Sequence, residues 1–250
     1  MSKGFFLSVE GLGGSGKSTL CNRMEEFCRT EGIPYIRTFE PGGTPAANFL
    51  RKLCREGIPD CEPLTPMAEV MLFNAARAQH VETVIRPALD AGKLVICDRY
   101  LHSTMMYQGI AGGVSLYTIG KIHHDAIGLL PDCTIIMTGD PDEFAKRISP
   151  AEKASDKFDS IHNATNHRIQ DYLDQVARSG TGEFFGVEAD QPAQAVYEQV
   201  IPLLERIKSH WMRGQKPHTP SIKIPPSLRG DGSYPRVIPG KVENKGIKDT

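Results

Sequence analysis

The chain contains no run of 18 apolar residues, so no stretch of it can cross a bilayer as a helix. It also lacks any real excess of charge. Its 29 Lys and Arg against 30 Asp and Glu leave a formal net charge of −1, where a dedicated nucleic-acid binder is usually strongly basic. Paired cysteines are missing too. The six cysteines, at 21, 28, 54, 61, 97 and 133, form no C-x-x-C, and Cys21, Cys28, Cys97 and Cys133 fall inside apolar segments. There the thiol packs as a small hydrophobe, so neither a zinc site nor a disulfide framework is expected, and a reducing cytoplasm is the expected home. Met1-Ser2-Lys3 leads directly into an apolar strand, so no signal peptide is expected. Internal repeats, low-complexity tracts and the N/T-K-x-D motif of guanine-specific switches are all absent. What remains is 250 residues, 40% hydrophobic and 24% charged, enough for one substantial α/β core.

The strongest positive signal is Gly11-Leu12-Gly13-Gly14-Ser15-Gly16-Lys17-Ser18-Thr19, which fits G-x-x-x-x-G-K-[ST]. A chain of this length matches that pattern by chance roughly once in 100. Its flanks are those the motif requires. Phe5-Phe6-Leu7-Ser8-Val9 reads as a buried strand, and Leu20, Met24, Phe27 and Cys28 recur at helical spacing before Gly32. Glycines allow the backbone N–H groups to curl around phosphates, and the helix N-terminus adds partial positive charge. Lys17 is then the cation for the β and γ phosphates of a nucleoside triphosphate, and the Ser18 hydroxyl a ligand for Mg²⁺.

Further strands are expected at 33–39, 94–97, 133–137 and 184–188, with helices over about 46–55, 65–89, 114–130, up to 178, and 191–210. The 65–89 helix opens on Thr65-Pro66, a capping residue followed by proline at the first helical position, and is expected to kink near Pro87. Strands alternating with helices imply a doubly wound, five-stranded parallel sheet with helices on both faces. In such sheets ligands bind beyond the carboxyl ends of the strands, which puts the phosphate loop, Glu40, Asp98 and Gly139 on one rim. From Met212 to Thr250 the 39 residues include 6 prolines, 5 glycines and 8 Lys or Arg against 3 acids. Residues 1–211 are therefore expected to form the folded domain, and 212–250 a disordered or loosely draped tail, or alternatively a basic arm for a partner.

Several side chains carry candidate chemistry. Asp98 closes the 94–97 strand on the ligand rim and can hold Mg²⁺, directly or through water, or else form a structural ion pair at the strand end. Arg99 offers a rigid fork suited to a phosphate. Phe73 and Arg77 project from one face of a helix, either as core and surface residues or as a ring face plus a forked donor for a flat base. Tyr100 to Gly109 supplies Thr104, Tyr107 and Gln108, which recognise sugar and base or cap the next helix. Lys146, Arg147, Lys153 and Lys157 form a solvated charged face or a flap, at about 147–160, that closes cations over phosphates.

Taken in order, Glu10-Gly11 to Thr19, Glu40-Pro41-Gly42-Gly43-Thr44-Pro45, Phe73-Asn74-Ala75-Ala76-Arg77, Asp98-Arg99-Tyr100 and Tyr107-Gln108-Gly109 resemble the thymidylate kinase family, with weaker support from Asp156-Lys157-Phe158-Asp159 and Arg168. The resemblance runs from about Phe5 to His210. It implies a phosphate-loop nucleoside monophosphate kinase fold and a homodimer. The activity it implies is Mg²⁺-dependent transfer of the ATP γ-phosphoryl group to dTMP, giving dTDP for dTTP synthesis. The alternatives are another deoxynucleoside monophosphate as acceptor, or a non-catalytic nucleotide-binding protein.

By that resemblance Phe73 stacks on thymine, Arg77 bonds a thymine carbonyl, and Thr104 and Gln108 face the base. Tyr107 lies beneath the sugar, Arg99 bridges acceptor and donor phosphates, and Arg147 with the flap lysines supplies the transition-state cations. The chain departs from the family pattern at Gly13, where an acid is usual, at Phe39, where an arginine is usual, and at Lys157, where an arginine is usual. With Gly13 in that place, the missing acidic role is expected to fall to Glu40, read as lying in an exposed loop. Glu10 is expected to be locked against the phosphate-loop backbone.

Overall fold

The computed structural model describes residues 4–56, 61–149, 158, 163–179 and 184–212. Five strands run in parallel: β1 (Phe5–Glu10), β2 (Tyr35–Phe39), β3 (Leu94–Asp98), β4 (Cys133–Thr138) and β5 (Phe184–Glu188), in the order β2-β3-β1-β4-β5. The expected doubly wound α/β sheet is present. Its centre is covered on both faces, as the unbroken apolar runs demand. Phe6, Leu7, Val9, Val95, Ile96, Cys97, Ile135, Ile136 and Met137 are all fully buried, whereas β2 and β5 on the edges are only partly covered. Burying side chains of this size contributes about 1.5–3 kcal/mol each. The central strands are thus the fixed frame from which the rim is built.

Nine helices are present among the described residues: α1 (Lys17–Thr30), α2 (Pro45–Glu56), α3 (Pro66–His80), α4 (Arg86–Asp90), α5 (Leu101–Thr104), α6 (Leu116–Ala126), α7 (Pro141–Arg147), α8 (Asn163–Ala177) and α9 (Ala193–Met212). Thr65 caps α3 as expected, its hydroxyl accepting from the Ala68 N–H at 3.3 Å, with Pro66 at the first position. The long helix expected to run to residue 89 is divided. A widened turn, Val81–Ile85, separates α3 from α4. Pro87 has no N–H to give the Thr83 carbonyl, and its ring crowds that carbonyl, so the helix widens one turn upstream. A second wide segment, Met105–Ala111, continues α5.

Registry fixes the rim. Val9 and Phe39 both sit opposite Asp98, and Glu10 opposite Ile136, so β1, β2, β3 and β4 end at nearly one level. The expected tail, apart from Met212 at the end of α9, lies outside the described residues, as does the expected flap apart from residues 147–149 and 158.

Candidate active site

Two clefts open on the carboxyl rim. The first surrounds the phosphate loop, whose turn needs left-handed backbone at Gly14 (φ 74°) and Gly16 (φ 88°). A side chain on Gly14 would also collide with the Phe144 carbonyl of α7. Gly16 ends the loop and α1 begins at Lys17, so the first-turn amides of α1 face this cleft. Lys17 is buried, its Nζ donating to the Leu12 carbonyl at 2.6 Å and lying 3.4 Å from Ser15 Oγ. The Ser18 hydroxyl donates to Asp98 Oδ2 at 2.9 Å. Gly14 to Thr19 line the cleft, while Leu12 packs into the core and Gly11 turns its carbonyl toward Arg99.

Arg147, at the end of α7, reaches the same cleft and donates to the Ala189 carbonyl at 2.8 Å. Lys146 beside it is exposed and pairs with Glu143 at 2.5 Å, and Lys153 and Lys157 lie outside the described residues. Sequence reasoning missed Asp190, Gln191 and Pro192, which complete the wall just beyond β5. Their one signal was position, at the carboxyl end of an expected strand.

Arg99 joins this cleft to the second. Its φ of 71° is the one left-handed conformation of a non-glycine among the described residues, at a cost of about 1–2 kcal/mol. Five hydrogen bonds among the described residues hold it there. Arg99 N donates to the Val9 carbonyl (2.9 Å), Tyr100 N to Glu10 Oε1 (2.7 Å), and the Ser103 hydroxyl to Glu10 Oε2 (2.6 Å). From the guanidinium, Nη1 donates to the Gly11 carbonyl (3.1 Å) and to Ser103 Oγ (3.2 Å). Glu10 is therefore locked against the segment after Arg99 and not against the phosphate loop. Burial pushes its carboxyl above the ordinary value, against the pull of Ser103, the Arg99 charge and the backbone N–H groups.

The second cleft is walled by Phe73, Arg77, Arg99, Thr104, Tyr107 and Gln108, the residues the sequence singled out, and by Phe158. The Phe158 ring lies 6.0 Å from that of Phe73 and 5.2 Å from that of Tyr107, with the Arg99 guanidinium 5.5 Å from the Tyr107 ring. Arg77 is buried. Its Nε donates to Glu40 Oε2 at 2.5 Å, and its Nη2 to the Tyr100 carbonyl (3.0 Å) and Thr104 Oγ1 (2.9 Å). Its Nη1, also buried, has no partner. Burial opposes the Arg77 charge, but Glu40 and its neighbours outweigh it, so the pKa stands above the ordinary value.

Glu40 corrects an expectation. It is 2% exposed, not in an open loop, and both its oxygens are occupied: Oε2 by Arg77, and Oε1 by His80 Nδ1 at 3.1 Å. Those partners lie 37 and 40 residues away, and a local reading has no means of finding them. Arg51 and Arg55 of α2 also line this cleft and were missed. With Arg77 and Arg99 they gather four guanidinium groups on one pocket.

Ser18 and Asp98 are hard oxygen donors, the kind a small divalent cation takes. Among the described residues no group of three or more His, Cys, Asp or Glu could hold a metal alone, so such a cation would need phosphate oxygens as well.

The chain resembles known proteins over most of its length. Residues 9–200 match the profile described as Thymidylate kinase. The chain is 35% identical over 214 residues to a thymidylate kinase of Symbiobacterium thermophilum, covering 84% of this chain and 96% of the relative. Against a thymidylate kinase of Ruegeria pomeroyi it is 34% identical over 201 residues, covering 80% and 94%. The crystal structure of thymidylate kinase from Ehrlichia chaffeensis superposes with a TM-score of 0.64 at 26% identity, covering 81% of this chain and 99% of that one.

Proposed function

The chain belongs to the thymidylate kinase family, and from that premise we propose that it phosphorylates dTMP to dTDP, taking the γ-phosphoryl group of ATP with Mg²⁺ as cofactor. The observation that carries this reading is Arg99, which lines the second cleft and also donates to the Gly11 carbonyl of the phosphate loop. One rigid fork thus touches both clefts between which a phosphoryl group must pass.

Phosphoryl transfer asks little covalent work of the protein and depends on positioning and charge. In this reading Lys17 leaves the Leu12 carbonyl for the β and γ phosphates, and the amides of Gly14 to Thr19 take the remaining oxygens. Ser18 and Asp98 would hold Mg²⁺, which when bound would supply positive charge to offset that of the phosphates. Arg99, with Arg51 and Arg55, holds the acceptor phosphate, while Arg147 offsets the charge that develops on transfer. Phe73 stacks on thymine, Arg77 Nη1 donates to its O4 carbonyl, and Tyr107 supports the sugar. Thr104 completes the arrangement by holding Arg77.

The finer assignments follow the same premise. We place the enzyme in the cytoplasm, where its free cysteines would stay reduced. We also infer a homodimer. Phe49 of α2, Met67 and Met71 of α3 and Tyr117 of α6 are exposed, on three helices joined through the packing of α3 on α2 and α6. Large apolar side chains gathered on one group of helices suit a partner surface.

The test is ADP release with ATP, Mg²⁺ and dTMP. Release should require dTMP, and Lys17→Ala should lower it by at least 100-fold while leaving circular dichroism unchanged. ADP release independent of dTMP, or a folded Lys17→Ala enzyme keeping half its activity, would contradict the proposal.

A further inference from the structure

Glu69 was not singled out by the sequence, yet it is a buried carboxylate on the same face of α3 as Phe73 and Arg77, one and two turns upstream. Its Oε2 accepts from Gln108 Nε2 at 2.8 Å. Gln108 is 1% exposed and lines the pocket beside Phe73 and Arg77, and its side chain has Glu69 as its one hydrogen-bond partner among the described residues.

A carboxylate can only accept hydrogen bonds, whereas a glutamine amide has a donating and an accepting end. Glu69 therefore settles which end of Gln108 turns away. The NH₂ group is committed to Glu69, and the atom left for the pocket is Oε1. The wall then presents a donor, the unpartnered Arg77 Nη1, and an acceptor, Gln108 Oε1. A thymine or uracil edge offers the complement, with the O4 carbonyl for Arg77 and N3–H for Gln108. Cytosine reverses both groups, setting amine against guanidinium and bare N3 against carbonyl. Opposed buried groups of this kind are what a site uses to reject a near-isosteric base.

We propose that Glu69 is a positioning residue for base selection, fixing the Gln108 amide so that its carbonyl reads N3–H of the pyrimidine. This rests on reading the pocket as the dTMP site. Replacing Glu69 by glutamine restores a partner with both ends, so Gln108 is free to turn its NH₂ into the pocket. That inversion costs dTMP a hydrogen bond and removes one of cytosine's two clashes.

The experiment measures kcat/KM for dTMP, dUMP and dCMP in the parent enzyme and in Glu69→Gln, with the KM for ATP as control. The parent should favour dTMP and dUMP over dCMP. A parent that takes dCMP equally well would overturn the thymine reading itself, before Glu69 is considered. In Glu69→Gln the dTMP:dCMP ratio should fall at least tenfold, and dUMP should follow dTMP, with the ATP KM within twofold of the parent.

Should Glu69→Gln fail to fold, Gln108→Met removes the amide at similar volume, and the same ratio should fall. The double variant separates positioning from mere support. With Met at 108, Glu69→Gln should leave the ratio where Gln108→Met alone puts it. An unchanged ratio in either single variant, or a further drop in the double variant, overturns the proposal.

Discussion

At the scale of single residues the site rests on charges placed where water cannot screen them. Arg77 and Glu40 are 3% and 2% exposed, and their ion pair joins α3 to the loop after β2. Breaking such a pair from one side leaves a buried charge alone, at about 3–5 kcal/mol. Glu40→Gln should therefore lower the melting temperature by roughly 6–20 °C, read by calorimetry, and raise the KM for dTMP far more than that for ATP. A variant that melts with the parent would mean that Arg77 finds other compensation. Ser103 offers a second test, since its hydroxyl donates to Glu10 while its oxygen accepts from Arg99. Ser103→Ala should lower kcat for dTMP by about 10- to 100-fold and leave the ATP KM nearly unchanged, because one hydrogen bond to a charged group is worth about 1.5–3 kcal/mol. Equal losses in both would place the serine in general support of the fold. Lys17 and Arg99 were legible in the sequence because each sits in a motif whose spacing has a physical reason. Glu40 was misread because the proline and glycines beside it look like an open loop, and only long-range contacts bury it.

At the scale of elements, apolar runs and turn signals located all five strands, and the Thr65-Pro66 cap opened α3 at the expected residue. The divided helix was less legible. A kink near Pro87 was expected, but its effect falls one turn upstream, as a widened turn at Val81–Ile85. Two histidines packed between elements were invisible to a linear reading. On α5, His102 pairs with the Tyr172 hydroxyl of α8 at 2.6 Å, and on α6, His123 pairs with the Leu129 carbonyl at 2.8 Å. Burial, then the nearby Arg77 charge, lowers His102 to about 4. The same two causes, against the Leu129 bond, lower His123 to about 3. Both rings are thus neutral in the native state and take protons only in the unfolded chain as pH falls below about 6.5. Stability is full above that pH and is lost as pH drops toward 4, by about 1 kcal/mol per histidine between pH 6.5 and 5.5. Denaturant melts across that interval should show the decline, and a flat profile would mean that the rings are solvated.

At the scale of the whole molecule, one parallel sheet brings the phosphate loop and the cleft walled by Phe73, Arg77 and Gln108 to the same rim, with Arg99 between them. The fold class followed from alternation of strand and helix, and the family from motifs in fixed order. What sequence could not give was the arginine group from α2, or which helices leave apolar surface exposed. If Phe49, Met67, Met71 and Tyr117 form the dimer surface, Met71→Glu should shift the sedimentation profile from dimer toward monomer. An unshifted dimer would place the interface elsewhere. Whether the two clefts serve one reaction is decided by steady-state kcat/KM over a panel of monophosphates, with ATP and Mg²⁺. The enzyme should turn over dTMP and dUMP efficiently, with dCMP, dAMP and dGMP lower by at least 100-fold. Comparable turnover of dCMP and dTMP, or no turnover of dTMP at all, would contradict this.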